Sequence, residues 1–142
     1  MKEHLILRVI SKELIPFVML FALYVQMHGD YGPGGGFQAG VVFAAAFVLY
    51  GLVFGLKTLR KVAPVAVVGA LVALGLLIYA GTGVAGLLLG GTYLEYGPLA
   101  HDPVHGHHYG IMVIELGVGI TVAAVMITIF QSFAGRGEPE QD

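Results

Sequence analysis

Three long apolar runs follow residue 36, and together they hold one charged side chain, Glu115 in 114-IELGV-118. A carboxyl group among apolar neighbours can pass a proton or meet a cation. At the centre of an isolated membrane helix it costs at least about 2.5 kcal/mol, so it must face protein or water. Counted from Tyr109, Glu115 lies roughly 9 Å into its helix at 1.5 Å per residue, nearer one interface than the midplane. The alternative is a carboxyl that hydrogen-bonds a neighbouring helix or capping backbone. Asp30 and His28 stand at the head of 29-GDYGPGGGFQAG-40, where they suit an entrance for cations or, more simply, an Asp that caps a turn. The third group is 101-HDPVHGHHYG-110, with His101, His105, His107 and His108. Imidazole and carboxylate together suit zinc, copper or nickel. Pro103 and Gly106, however, leave no helix on which His101 and His105 share a face. The expectation is a solvated loop that gains charge near about pH 6.5, with no metal site and no cofactor.

The elements that must position these groups are membrane helices. Of 142 residues, 57% are hydrophobic and 11% charged, and the mean hydropathy is +0.85, far from the balance of a soluble domain. The charges cluster at the ends and in short gaps between apolar runs, as in a multi-pass protein. With no cysteine, thiolate chemistry is excluded and redox compartment is not encoded. The first apolar run carries Arg8, Lys12 and Glu13 and lacks a small-residue cleavage site, so it reads as a retained helix.

A span needs roughly 20 apolar residues, which predicts an all-α membrane protein of about four transmembrane helices. The first runs from about Leu5 to Met27, with Pro16 either kinking it or starting it afresh. The second covers Phe37 to Leu56. The third opens at Pro64 and continues to about Ala80, after which Gly81, Gly83, Gly86, Gly90 and Gly91 predict a broken or re-entrant segment. Thr92 to His108 read as a polar loop and Tyr109 to Gln131 as the fourth helix. Residues 1–134 thus form one transmembrane domain and 135–142 a polar tail. All the lysines and arginines, including Lys57, Arg60 and Lys61 of the basic loop, fall on one side of this arrangement, which places both termini in the cytoplasm.

The glycine stretch precedes helix two. Gly34, Gly36 and Ala39 match the spacing of a dinucleotide-binding turn, but that turn needs a strand before it, and here a helix precedes. Pro33, Gly34, Gly35 and Gly36 suit a tight connection. Gly36, Gly40 and Ala44 then recur every four residues, a small-residue edge that lets another backbone come close. The expectation is a docking surface for a neighbouring subunit.

The string 33-PGGGFQAG-40 between two helices, 57-KTLRK-61 with Pro64, and 114-IELGV-118 together resemble the B-type subunits of the Mrp-type multisubunit cation (Na+)/H+ antiporter family, over most of the chain. Two departures stand out: 28-HGDYG-32 is one residue longer, and more acidic, than the Gly-His-Asn sequence of many members, and many carry Asp where Glu115 stands. The resemblance implies a non-enzymatic transport subunit in a bacterial inner (plasma) membrane. It also implies partners among larger subunits similar to those of complex I, and exchange of Na+ or K+ for H+. It implies a packing role for Pro33, Gly34, Gly35, Gly36, Phe37, Gly40 and Ala44. Related subunits occur in hydrogenase-type and sulfur-reducing respiratory complexes, which stand as an alternative, as does a small self-associating transporter or metal carrier.

Overall fold

The structure is a computed structural model that describes residues 4–28, 35–88 and 103–137. Five helices follow one another: α1 (Leu5–His28), α2 (Gly36–Phe54), α3 (Leu56–Val62), α4 (Val65–Leu88) and α5 (Pro103–Ala134), closed by a 3-10 turn, Gly135–Gly137. Three of these are long and apolar enough to cross a membrane, with spans at Gly36–Phe54, Val65–Leu88 and Gly110–Ala134. Both α2 and α4 are apolar on every side, the pattern of helices surrounded by lipid and other helices rather than by water. α1 has the length of a span but carries Arg8, Lys12 and Glu13 in its first half. It is one continuous helix with Pro16 inside it.

α5 lies between α2 and α4, and α1 packs on α2 and touches α5 at its edge. The last helix in the chain is therefore the middle one in space. A buried apolar cluster forms toward the end where α3 sits: Leu59, fully buried, joins Ala44, Leu56, Ala63, Val68, Ala123, Ala124 and Ile127, with Phe43, Phe47, Tyr50 and Phe130 against them. Because lipid is as apolar as leucine, what holds such helices together is close fit rather than escape from water.

The structure corrects the sequence reading in three places. Helix two ends at Phe54, where Gly55 takes φ +98°, a left-handed conformation open to glycine at little cost. The chain turns there into the separate α3, whose Leu56 and Leu59 face inward while Lys57, Arg60 and Lys61 are exposed. Second, the break expected after Ala80 is absent: α4 runs on through Gly81, Gly83 and Gly86 to Leu88. A glycine in a helix costs about 1 kcal/mol, whereas a backbone polar group left unpaired in lipid costs several; the helix is the cheaper state. Residues 89–102 lie outside the described residues, so the re-entrant turn is not among them. Third, the fourth long helix begins at Pro103, not Tyr109. Proline lacks only an N–H that the first helical turn leaves unpaired anyway, so Pro103 starts the helix that it was expected to interrupt.

Side-chain hydrogen bonds are of two kinds, and one of them ties helices together. Thr82, Thr121 and Thr128 each donate their hydroxyl to the carbonyl four residues earlier, at 2.8 Å, so they stay within their own helices. Gln131, 3% exposed, donates from Nε2 to the carbonyl of Ala63 at 2.9 Å. That bond joins the C-terminal end of α5 to the corner between α3 and α4.

Candidate functional site: Glu115 and the glycine seam

Glu115 is half-buried on α5. Counted from Pro103 it lies roughly 18 Å along the helix, but it is only roughly 8 Å inside the apolar span that opens at Gly110. It sits in the half of the membrane where α2 starts. A methyl group at Gly36 would fall on the main-chain carbonyl oxygen of Glu115. A Cβ at Gly35 would lie 3.5 Å from the Glu115 Oε1 and 3.4 Å from the Gln38 Oε1. The Glu115 carboxyl and the Gln38 amide thus each reach the space beside Gly35, at the described edge of the glycine stretch.

Below the carboxyl, α5 is clamped from two sides. Gly119 faces α1 and α2: a Cβ there would be 2.7 Å from the Gln26 Oε1 and 3.3 Å from the Gly36 carbonyl. Gly117 faces α4 instead, 3.0 Å from the Gly75 carbonyl by the same measure. Residues two apart on a helix point about 200° from each other, so the pair Gly117 and Gly119 thins α5 on opposite faces just after Glu115. The neighbouring helices answer with glycine. A Cβ at Gly40 would lie 2.7 Å from the Gly119 carbonyl and 2.9 Å from the Val122 Cβ, and one at Gly75 would overlap the Thr121 hydroxyl. Further down, Gly51 leaves room for the Phe130 ring, which a Cβ would meet at 2.6 Å.

The small-residue edge was expected to receive a neighbouring subunit. Its Gly36, Gly40 and Ala44 are buried instead within this chain, and at Gly36 and Gly40 it is α5 that lies against them. The reason is complementarity: α5 carries its own glycines at the matching level, so two backbones approach without an outside partner. Of the rest of the motif, Phe37 is 58% exposed and points away from the seam, Gly35 is buried, and Pro33 and Gly34 lie outside the described residues.

The other candidates divide. His28 is the last residue of α1, at the same end of the bundle as Gly36; Asp30 lies outside the described residues. His105, His107 and His108 belong to the first turns of α5 rather than to a loop, and His101 is outside. Gln26 and Gln38 were missed by sequence reasoning. Each is a lone amide in an apolar helix, and that polarity was the available signal.

At the opposite end of the bundle the cations gather. The Arg8 guanidinium stands 5.3 Å above the Phe54 ring, and that of Arg136 4.6 Å above Phe133. Arg60 Nη2 lies 2.7 Å from where a Gly135 Cβ would be. Lys57 and Lys61 are exposed on α3. Arginines from α1, α3 and the end of α5 thus share one rim with the basic loop, as residues on a single side of a membrane would.

A family model described as a domain related to the MnhB subunit of Na+/H+ antiporter matches residues 6–128. Antiporter subunit mnhB2 of Staphylococcus haemolyticus (strain JCSC1435) is 32% identical over 139 residues, covering 95% of this chain and 98% of that protein. The protein of the same name from Staphylococcus aureus (strain MRSA252) is 30% identical over 139 residues, with the same two coverages, 95% and 98%. The match takes in the glycine start of α2, the cations of α3 and Glu115. The chain belongs to the family of domains related to the MnhB subunit of Na+/H+ antiporter.

Proposed function

We propose that the chain is an integral membrane subunit of a multisubunit Na+/H+ antiporter and a multi-pass protein of the bacterial plasma membrane. The carrying observation is the family match over residues 6–128, joined to three helices able to cross a membrane. In this reading α1 is the fourth crossing and both termini are cytoplasmic, on the side of the cationic rim. The subunit works in transport rather than in bond-making chemistry. It carries a single charged side chain in its apolar spans and no paired broken helices among its described residues, which is too little for a transporter acting alone.

Its own part has two components. The glycine seam makes α1, α2, α5 and α4 one rigid body, and Glu115, held beside Gly35 and Gln38 near the external end, lines the route by which H+, or Na+ or K+, reaches the larger subunits. Because α5 fills the small-residue face of α2, the faces left for other subunits are those of α1 and α4. Phe17 and Leu20 of α1 and Leu77 of α4 are more than half exposed, and space is open beside Gly69 and Gly81.

Deleting the chain from an otherwise intact antiporter should abolish Na+-driven proton movement in everted vesicles, and re-expression should restore it. The purified chain alone in proteoliposomes should exchange neither ion. Full exchange by the complex without this chain would overturn the reading.

A further inference from the structure

An apolar groove of about 270 Å³ runs along one side of the bundle. Its near end is formed by Val62, Ala63 and Val67 at the corner of α3 and α4. It passes Phe47 and Ile120, and it reaches Leu23 of α1. Its walls come from four long helices and are almost wholly hydrocarbon. The near end adjoins the cationic rim: Val62 follows Lys61 in the chain, and Lys57, Arg60 and Lys61 are exposed on the same short helix. An apolar trough that opens beside a short helix with exposed Lys57 and Lys61 matches an amphiphile with an anionic head.

We propose that this groove holds one acyl chain of an anionic phospholipid, whose phosphate is taken by Lys57 and Lys61 at the mouth. Charge complementarity chooses this occupant over a helix from another subunit. An apolar helix would fill the trough but leave the lysines to water, whereas a lipid satisfies both ends at once. The backbone of α3 is held in place. Leu56 and Leu59 anchor the helix in the core, and the left-handed Gly55 turns it out of line with α2, as an amphipathic segment at a membrane surface requires. A cation near an anionic headgroup contributes about a fivefold gain in affinity, so the two lysines together provide about twenty-five-fold.

The test uses the assembled complex in a neutral detergent, titrated with phosphatidylglycerol or phosphatidylcholine and read by native mass spectrometry. Phosphatidylglycerol should be retained in preference, and the double variant Lys57→Gln/Lys61→Gln should lose that preference about twenty-five-fold. Both positions are exposed, so the fold is spared, and unchanged subunit stoichiometry in the same spectra verifies this. A photo-activatable residue at Val67, half-exposed in the groove wall, should cross-link to lipid. Equal retention of both lipids, a preference that survives loss of both lysines, or cross-linking at Val67 to another subunit in place of lipid would each overturn the proposal.

Discussion

Gly36 on α2 faces the main-chain carbonyl of Glu115 on α5 with no space between them for a methyl group. Two elements separated by most of the chain are thereby locked at the level of the one charged residue in the apolar spans. The glycine is required for the close approach of backbones, and the carboxyl group is positioned by the helix that approach holds in place.

Gly36→Ala should destabilise the fold by about 1–3 kcal/mol, the usual cost of overpacking a close contact, and Gly36→Leu should remove the protein from the membrane altogether. Gly69→Ala and Gly81→Ala, beside which nothing lies within 4 Å, should instead leave stability unchanged or raise it by up to about 1 kcal/mol, because alanine is the better helix former. Thermal unfolding of the purified complex in detergent measures the three alanine variants, and the amount of the subunit in the membrane measures Gly36→Leu. Equal effects at Gly36 and Gly69 would mean that the seam does not exist.

The chain has no cysteine of its own, which makes engineered pairs easy to read. A Cβ at Gly40 would stand 2.9 Å from that of Val122, closer than the roughly 3.5–4.5 Å of a disulfide, so the two helices must part by about 1 Å for the bond to form. Gly40→Cys with Val122→Cys should form a bond within one chain on mild oxidation, seen as a linked peptide pair by mass spectrometry. A bond from position 40 to a different subunit, with an added cysteine there, would return the small-residue face to the role first expected of it.

Gln131→Leu should leave the Ala63 carbonyl buried and unpaired, at a cost of about 1–3 kcal/mol. The corner between α3 and α4 would loosen first, so hydrogen exchange in Leu59 to Val65 should rise ahead of that in α2. Uniform exchange across both segments would contradict a local role for the amide.

How much of this was legible in the sequence follows from the kind of signal each element gives. The limits of α1 and α2 were read within two residues because charge or glycine bounds a long apolar run. The Gly55 turn was not read. A single glycine inside an apolar run looks the same whether it packs, bends or does neither, and only its φ separates the cases. The extension of α4 past Gly81 was missed because helix propensities measured in water overstate the penalty of glycine where no water competes for the backbone. The seam was half legible: Gly36, Gly40 and Ala44 announce a close approach, but not whose backbone makes it. The complementary pair Gly117 and Gly119 was visible, and the register that matches the two sets is a property of three dimensions. Gln26, Gln38 and Gln131 carry no charge and so drew no notice, although a lone amide in a membrane helix needs a partner as surely as a carboxyl does.

The account places Glu115 on the path of the exchanged ions, and a conservative pair of substitutions tests it. Glu115→Gln keeps the size and a hydrogen-bonding end but cannot ionise, whereas Glu115→Asp keeps the acid that many members of the family carry at this position. The decisive measurement is Na+-dependent proton movement in everted vesicles holding the complete antiporter, with subunit content checked in the same membranes. The account predicts a fall of about tenfold or more for Glu115→Gln at normal assembly, with substantial activity retained by Glu115→Asp. Undiminished exchange by the Glu115→Gln complex would contradict it.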